Sequence, residues 1–201
     1  MSPADPLAAD ALRAALGRQV IGREIVVLDE TTSTNDVIAR MAPAHEEGLV
    51  VFAERQTAGR GQYGRAWESA SRKGLWLSIL LRPRIAVADS ARLTNFLALA
   101  IATTLSETLS LDTIIKPPND IYIASRKIAG VLVEMRVEAN GEYCAIAGIG
   151  LNVNQSRADF PAALQETAGS LALVTGRPID RFALAVALLR ILDDRYRKFR
   201  A

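Results

Sequence analysis

Between residues 128 and 149 the sequence reads as two apolar runs joined by Glu138-Ala139-Asn140-Gly141, and no other stretch limits the fold so tightly. Asn-Gly between apolar runs favours a tight turn, because both residues tolerate the positive φ that a hairpin needs. Residues 128–137 are therefore expected to pair antiparallel with residues 143–149. A second, shorter pairing is expected where Ile114-Ile115 and Ile121-Tyr122-Ile123 flank the turn Pro117-Pro118-Asn119-Asp120. Residues 24–28, 49–53 and 75–81 read as further strands, the last closed by Arg82-Pro83. Helices are expected over residues 10–17, after the capping candidates of Thr31-Thr32-Ser33-Thr34-Asn35-Asp36, over residues 90–109, and after Asp180, where Phe182, Val186, Leu189, Leu192 and Tyr196 recur with a helical period. Residues 97–102 are apolar nearly all round, which predicts a buried central helix. Hairpins outnumber βαβ alternation, so the expected class is α+β, with a central mixed, largely antiparallel sheet flanked by helices.

The chain's 201 residues suit one domain, 1–201, able to bury about two-thirds of its unfolded surface. Half of the residues are hydrophobic and 23% are charged, which excludes a disordered chain. The single Cys144 has no partner for an internal disulfide and lies in an apolar run, so a buried thiol in a reducing compartment is expected; His45 is the only histidine, and no catalytic Cys–His pair suggests itself. A net charge of +2 without a massed basic face argues against nucleic-acid binding. No apolar run reaches membrane-spanning length, and residues 1–20 lack the continuous apolar core of a signal peptide, which together point to the cytoplasm.

Three clusters carry chemistry. Residues 56–67, Gln-Thr-Ala-Gly-Arg-Gly-Gln-Tyr-Gly-Arg-Ala-Trp, combine glycines that can turn backbone N–H groups toward an anion with two planar cationic forks, Arg60 and Arg65. The loop lacks the Gly-Lys-Ser/Thr ending of a Walker A motif. Trp67, beside these arginines, reads equally as a stacking platform for a base and as core. Lys116-Pro117-Pro118-Asn119-Asp120 projects two polar side chains from a stiffened turn, and Lys127 then enters a strand of apolar neighbours, where an ammonium is costly unless an anion meets it. Residues 147–154, Ala-Gly-Ile-Gly-Leu-Asn-Val-Asn, end a strand with glycines that permit close approach and asparagines able to read a base edge.

In this order the clusters resemble the biotin-protein ligase family over residues 29–199: Ser33-Thr34-Asn35, the Gly-Arg-Gly loop, the Pro-Asn-Asp turn, Lys127-Ile128-Ala129-Gly130 and Gly148-Ile149-Gly150-Leu151-Asn152 each look like its motifs. The resemblance implies a sheet-and-helix fold related to class II aminoacyl-tRNA synthetases, and an enzyme that adenylates biotin with ATP and magnesium. The acyl group would then pass to one lysine of a biotin carboxyl carrier protein, of acetyl-CoA carboxylase or a related carboxylase. It implies Ser33, Thr34, Gln56, Gly59, Arg60 and Lys127 as biotin contacts, and Arg65, Trp67, Asn119 and Asn152 as ATP contacts. Lys127, Asp120 and Arg60 would be the catalytic groups, with no resident metal site.

Three departures accompany the match. Pro117 stands where the family usually has Trp, and Gln62 where many members have another Arg, so one cation is missing from the loop. Neither the N-terminal DNA-binding module of regulatory members nor the full C-terminal β domain of many others fits the length, and no repressor activity is expected. A lipoate-protein ligase of the same fold and a non-catalytic biotin or nucleotide binder are the alternative readings. An exposed edge strand would offer a surface for a homodimer.

Overall fold

A computed structural model describes residues 6–139 and 141–200. The elements run α1 (Ala9–Leu16), β1 (Glu24–Leu28), α2 (Thr34–Met41), β2 (Leu49–Ala53), β3 (Gly74–Leu81), α3 (Ser90–Leu109), β4 (Ile114–Lys116), β5 (Asp120–Ile123), β6 (Arg126–Val137), β7 (Tyr143–Asn152), α4 (Leu171–Thr175) and α5 (Arg181–Phe199). The strands form one seven-stranded sheet in the order β1-β2-β3-β7-β6-β5-β4. Only β1 and β2 are parallel; every other neighbouring pair is antiparallel. β6 and β7 pair antiparallel as expected, with Val137 opposite Tyr143 and Val131 opposite Ile149. In its turn Gly141 adopts φ +83°, while Asn140 lies outside the described residues.

Alternation along the strands divides the sheet into two faces of different character. Val50, Phe52, Leu75, Leu77, Ile79, Ala147, Ile149 and Leu151 enter a large core together with Leu97 and Ile101 of α3 and Leu188, Leu189 and Leu192 of α5. On the opposite face α2 covers a smaller core made by Val37, Ile38, Leu49, Val51, Leu80, Cys144 and Ile146. Cys144 is buried as expected, and desolvation pushes its thiol above the usual range. The central helix is less enclosed than its composition suggests, since α3 packs on α5 and β6 and leaves Leu99 51% exposed. No helix among the described residues is long and apolar enough to cross a membrane.

One irregularity decides what the second face can do. In β5 and β6, Ile121 stands opposite Ala129 and Tyr122 opposite Lys127, so β6 carries one extra residue at this point. Such a bulge reverses the alternation of side chains on one side of it. Ile128 and Ala129 both lie in the large core. Lys127 is consequently turned to the α2 face of the sheet, the face that also holds Gly130 and Gly150.

Candidate functional site

Beyond the N-terminus of α2 the sheet is left uncovered by helix, and a cavity of about 550 Å³ opens there. Its floor follows from alternation: Gly148 and Gly150 of β7 point to this face while Ile149 and Leu151 point to the core. These glycines make room for the protein's own side chains. A Cβ on Gly150 would lie 2.3 Å from the Trp67 ring, one on Gly130 2.9 Å from it, and one on Gly148 2.5 Å from Asn35 Oδ1. Gly130 and Gly150 are directly opposite one another, so the indole lies across a bare cross-strand pair. Trp67 is half-buried there and meets the fully buried Trp76 edge-on, with centroids 6.3 Å apart. The open choice between core residue and platform resolves into both: the ring is seated on the sheet and lines the cavity.

Lys127 Nζ lies 2.7 Å from Asp120 Oδ1 and 5.3 Å from the centre of the Trp67 ring. The carboxylate meets the anion requirement that an ammonium in this strand imposes. The lysine's backbone is fixed as well, its N–H donating to Thr167 O at 2.8 Å and its carbonyl accepting from Gly169 N at 3.0 Å. Arg126 donates to the carbonyls of Gln165 and Ala168, tying the same loop to β6. Phe160, Leu164, Thr167 and Ala168 from this loop form a cavity wall that sequence reasoning did not find. Asn119 Nδ2 donates to Val131 O at 3.1 Å, clamping the proline turn to β6. Lys116, the other lysine of that motif, sits over the Tyr122 ring at 3.8 Å and is not in the cavity lining.

The arginine-bearing loop folds back as a miniature hairpin, called the flap below. Trp67 N–H donates to Gly59 O, Arg60 bridges Ala66, and Gly61 N–H donates to Arg65 O. Tyr63 and Gly64, with φ of +58° and +71°, make the tip, and Tyr63 is 88% exposed. At the flap's root Gln56 Oε1 accepts from Thr34 N and Thr34 Oγ1, while its Nε2 donates to Ser69 Oγ. Gly59 does not line the cavity; it packs against the chain at Trp67 O, 2.6 Å from where its Cβ would be. Ser33, Thr34, Gln56, Arg60, Arg65, Trp67, Asn119, Asp120, Lys127 and Asn152 all line it.

The deep polar end is built around Ser78, the single hydroxyl of an otherwise apolar β3, whose Oγ lies 2.7 Å from Thr34 Oγ1 and 2.5 Å from Asn35 Oδ1. Asn35 Nδ2 donates to Glu134 Oε2 at 2.6 Å. At the other end Asn152 Oδ1 accepts from Gln155 Nε2 at 2.8 Å, with both residues buried. One cavity thus offers hydroxyl and amide groups at one end, an aromatic plane and an asparagine at the other, and cations between them.

Known proteins are similar to the chain in sequence and in fold. The family model described as the biotin/lipoate A/B protein ligase family matches residues 27–154. The chain belongs to that family. A bifunctional ligase/repressor BirA of Bacillus subtilis is 37% identical over 189 residues, covering 94% of this chain and 58% of that relative. A biotin--[acetyl-CoA-carboxylase] ligase of Mycobacterium tuberculosis is 32% identical, with 92% of this chain and 71% of that relative covered. Among solved structures, the biotin protein ligase of Aquifex aeolicus in complex with biotin and ATP matches with a TM-score of 0.78 and 31% identity, over 89% of this chain and 72% of that one. A putative lipoate protein ligase of T. acidophilum, 14% identical with a TM-score of 0.61, shares the fold.

Proposed function

We propose that the chain is an ATP-dependent biotin-protein ligase that forms biotinyl-5′-AMP and transfers the biotinyl group to a lysine of a carboxyl carrier protein. The observation that carries this reading is the bulge-directed Lys127, which shares one cavity with the Trp67 plane, the flap arginines and the polar Ser33–Asn35 end. Biotin's cyclic urea needs paired donors and acceptors, and the hydroxyl and amide groups of Ser33, Thr34 and Asn35 suit it better than they suit an apolar dithiolane ring. Its carboxylate would then reach toward Lys127, with the adenine of ATP against Trp67 and Asn152 and the phosphates near Arg65 and Asn119.

The first step joins two anions. A carboxylate oxygen of biotin attacks the α-phosphorus, the bond to the β-phosphate breaks, and pyrophosphate leaves. Lys127 and Arg65 lower the cost of that encounter by meeting charge that develops between them. In the ligand-free protein the Lys127 ammonium is held by Asp120, so ligand binding transfers it from a carboxylate of the protein to the carboxylate of biotin and the α-phosphate of ATP. Asp120 is then free to accept or orient the proton of the incoming carrier amine, which attacks the acyl carbon and expels AMP. The flap over the cavity excludes water from the hydrolysable mixed anhydride. Magnesium comes with ATP, held mainly by phosphate oxygens; among the described residues no cluster of three His, Cys, Asp or Glu side chains is placed to hold an ion.

For partners, we infer the biotin carboxyl carrier domain of a carboxylase and a second copy of the chain. The outer edge of β6 past Val131 has no strand beside it among the described residues, and both would use such an edge. Pyrophosphate release tests the reaction: with ATP the protein should release pyrophosphate in response to biotin and not to lipoate, whereas release with lipoate alone would transfer the assignment to the lipoate branch.

A further inference from the structure

Arg60 lines the cavity, but its charge is already engaged. Its two terminal nitrogens donate to the two oxygens of Asp36 at 2.8 and 2.7 Å, a planar two-pronged pair, and Glu134 Oε2 stands 3.8 Å away. The pairing holds the Asp36 carboxyl below the usual carboxylate range, through the hydrogen bond from Arg60 first, and raises the guanidinium in turn. Asp36 lies in the first turn of α2 and does not line the cavity. Its neighbour Asn35 is fixed by Ser78 and Glu134 beneath it, so the helix end that carries Asp36 is itself anchored to β3 and β6. On the other side, Arg60 belongs to the flap through its bridge to Ala66. The pair therefore joins the flap to the rigid sheet side of the site, and two carboxylates surround one guanidinium there.

We propose that Asp36 is a positioning residue that tethers the flap through Arg60, so that Arg60 acts as an anchor and the cationic work of the site falls to Arg65, and to Lys127 once the substrates draw it from Asp120. This differs from a role for Arg60 as an unpaired cation awaiting phosphate. It also differs from an inhibitory role, in which Asp36 would compete with the substrate for the guanidinium. The consequence for biotin rests on the function proposed above; the tether itself does not, and it can be read without turnover.

The test uses Asp36→Asn and Asp36→Glu in the full chain, with thermal midpoints checked for an intact fold. Trypsin cleavage of the Arg65–Ala66 bond in ligand-free protein reports opening of the flap. We expect Asp36→Asn to be cut about three- to tenfold faster there than the wild type, with Asp36→Glu closer to the wild type. Biotin binding measured calorimetrically should weaken in Asp36→Asn by a similar factor. Cleavage of the flap at the wild-type rate in Asp36→Asn would overturn the tether, as would an Asp36→Glu variant no closer to the wild type than Asp36→Asn. Tighter biotin binding by Asp36→Asn would establish competition instead and would equally overturn it. If no variant and no wild-type protein bound biotin, the proposed function would fail while the cleavage rates still judged the tether.

Discussion

Gly150 contributes by having no side chain, because Trp67 occupies the space that a Cβ would need. Gly150→Ala is expected to lift the indole off the sheet and raise the KM for ATP about tenfold, with a smaller effect on the KM for biotin, measured by steady-state pyrophosphate release. Gln62 lies at the flap tip and lines the cavity, where a further arginine would face the intermediate. Gln62→Arg should lengthen the lifetime of enzyme-bound biotinyl-AMP about three- to tenfold in a chase experiment. An unchanged lifetime would show that the substitution of the family's arginine costs this chain nothing in retention. Individual residues were partly legible in the sequence. Lys127 stood out as an ammonium among apolar neighbours, and Asp120, its partner, lay in the motif seven residues earlier. Arg60 was equally visible, but its commitment to Asp36 was not, because a helix and a loop far apart in sequence supply the two groups.

At the level of elements, the β6–β7 hairpin, α2 and α5 follow from local patterns. Asp180 caps α5 by accepting from Ala183 N–H, as its position suggested. Ser33 occupies the N-cap position of α2 without making a side-chain cap, because this helix end is committed to the cavity. The bulge in β6 was not legible: both registers satisfy the alternation of apolar residues, and only the pairing with β5 decides which face Lys127 takes. Another long-range contact fixes α5. Arg181, at its first turn, pairs with Glu54 just after β2, and both side chains are buried, with Nη1 2.6 Å from Oε2. Glu54 also accepts from Leu7 N–H at 2.8 Å. Glu54→Ala would leave a buried guanidinium without its carboxylate and is expected to lower stability by about 3–5 kcal/mol in chemical denaturation. A loss below about 1 kcal/mol would mean that water reaches the pair.

On the scale of the whole molecule, one sheet performs two tasks on its two faces. The face against α3 and α5 supplies the large core, and the other supplies a small core under α2 and, past its end, a site. The α+β class and the largely antiparallel sheet could be read from hairpins and turn chemistry, since both are local. The loop wall of Phe160 and Leu164 could not, because its position depends on backbone hydrogen bonds to Lys127 across forty residues of chain. What unites the site is the single lysine that the bulge turns into the cavity. The most direct test is transfer of labelled biotin from ATP-activated intermediate to a biotin carboxyl carrier domain, comparing the wild type with Lys127→Ala at matched thermal midpoints. The wild type should label one carrier lysine, and Lys127→Ala should lose about a hundredfold or more in rate; equal labelling by the two proteins would contradict the account.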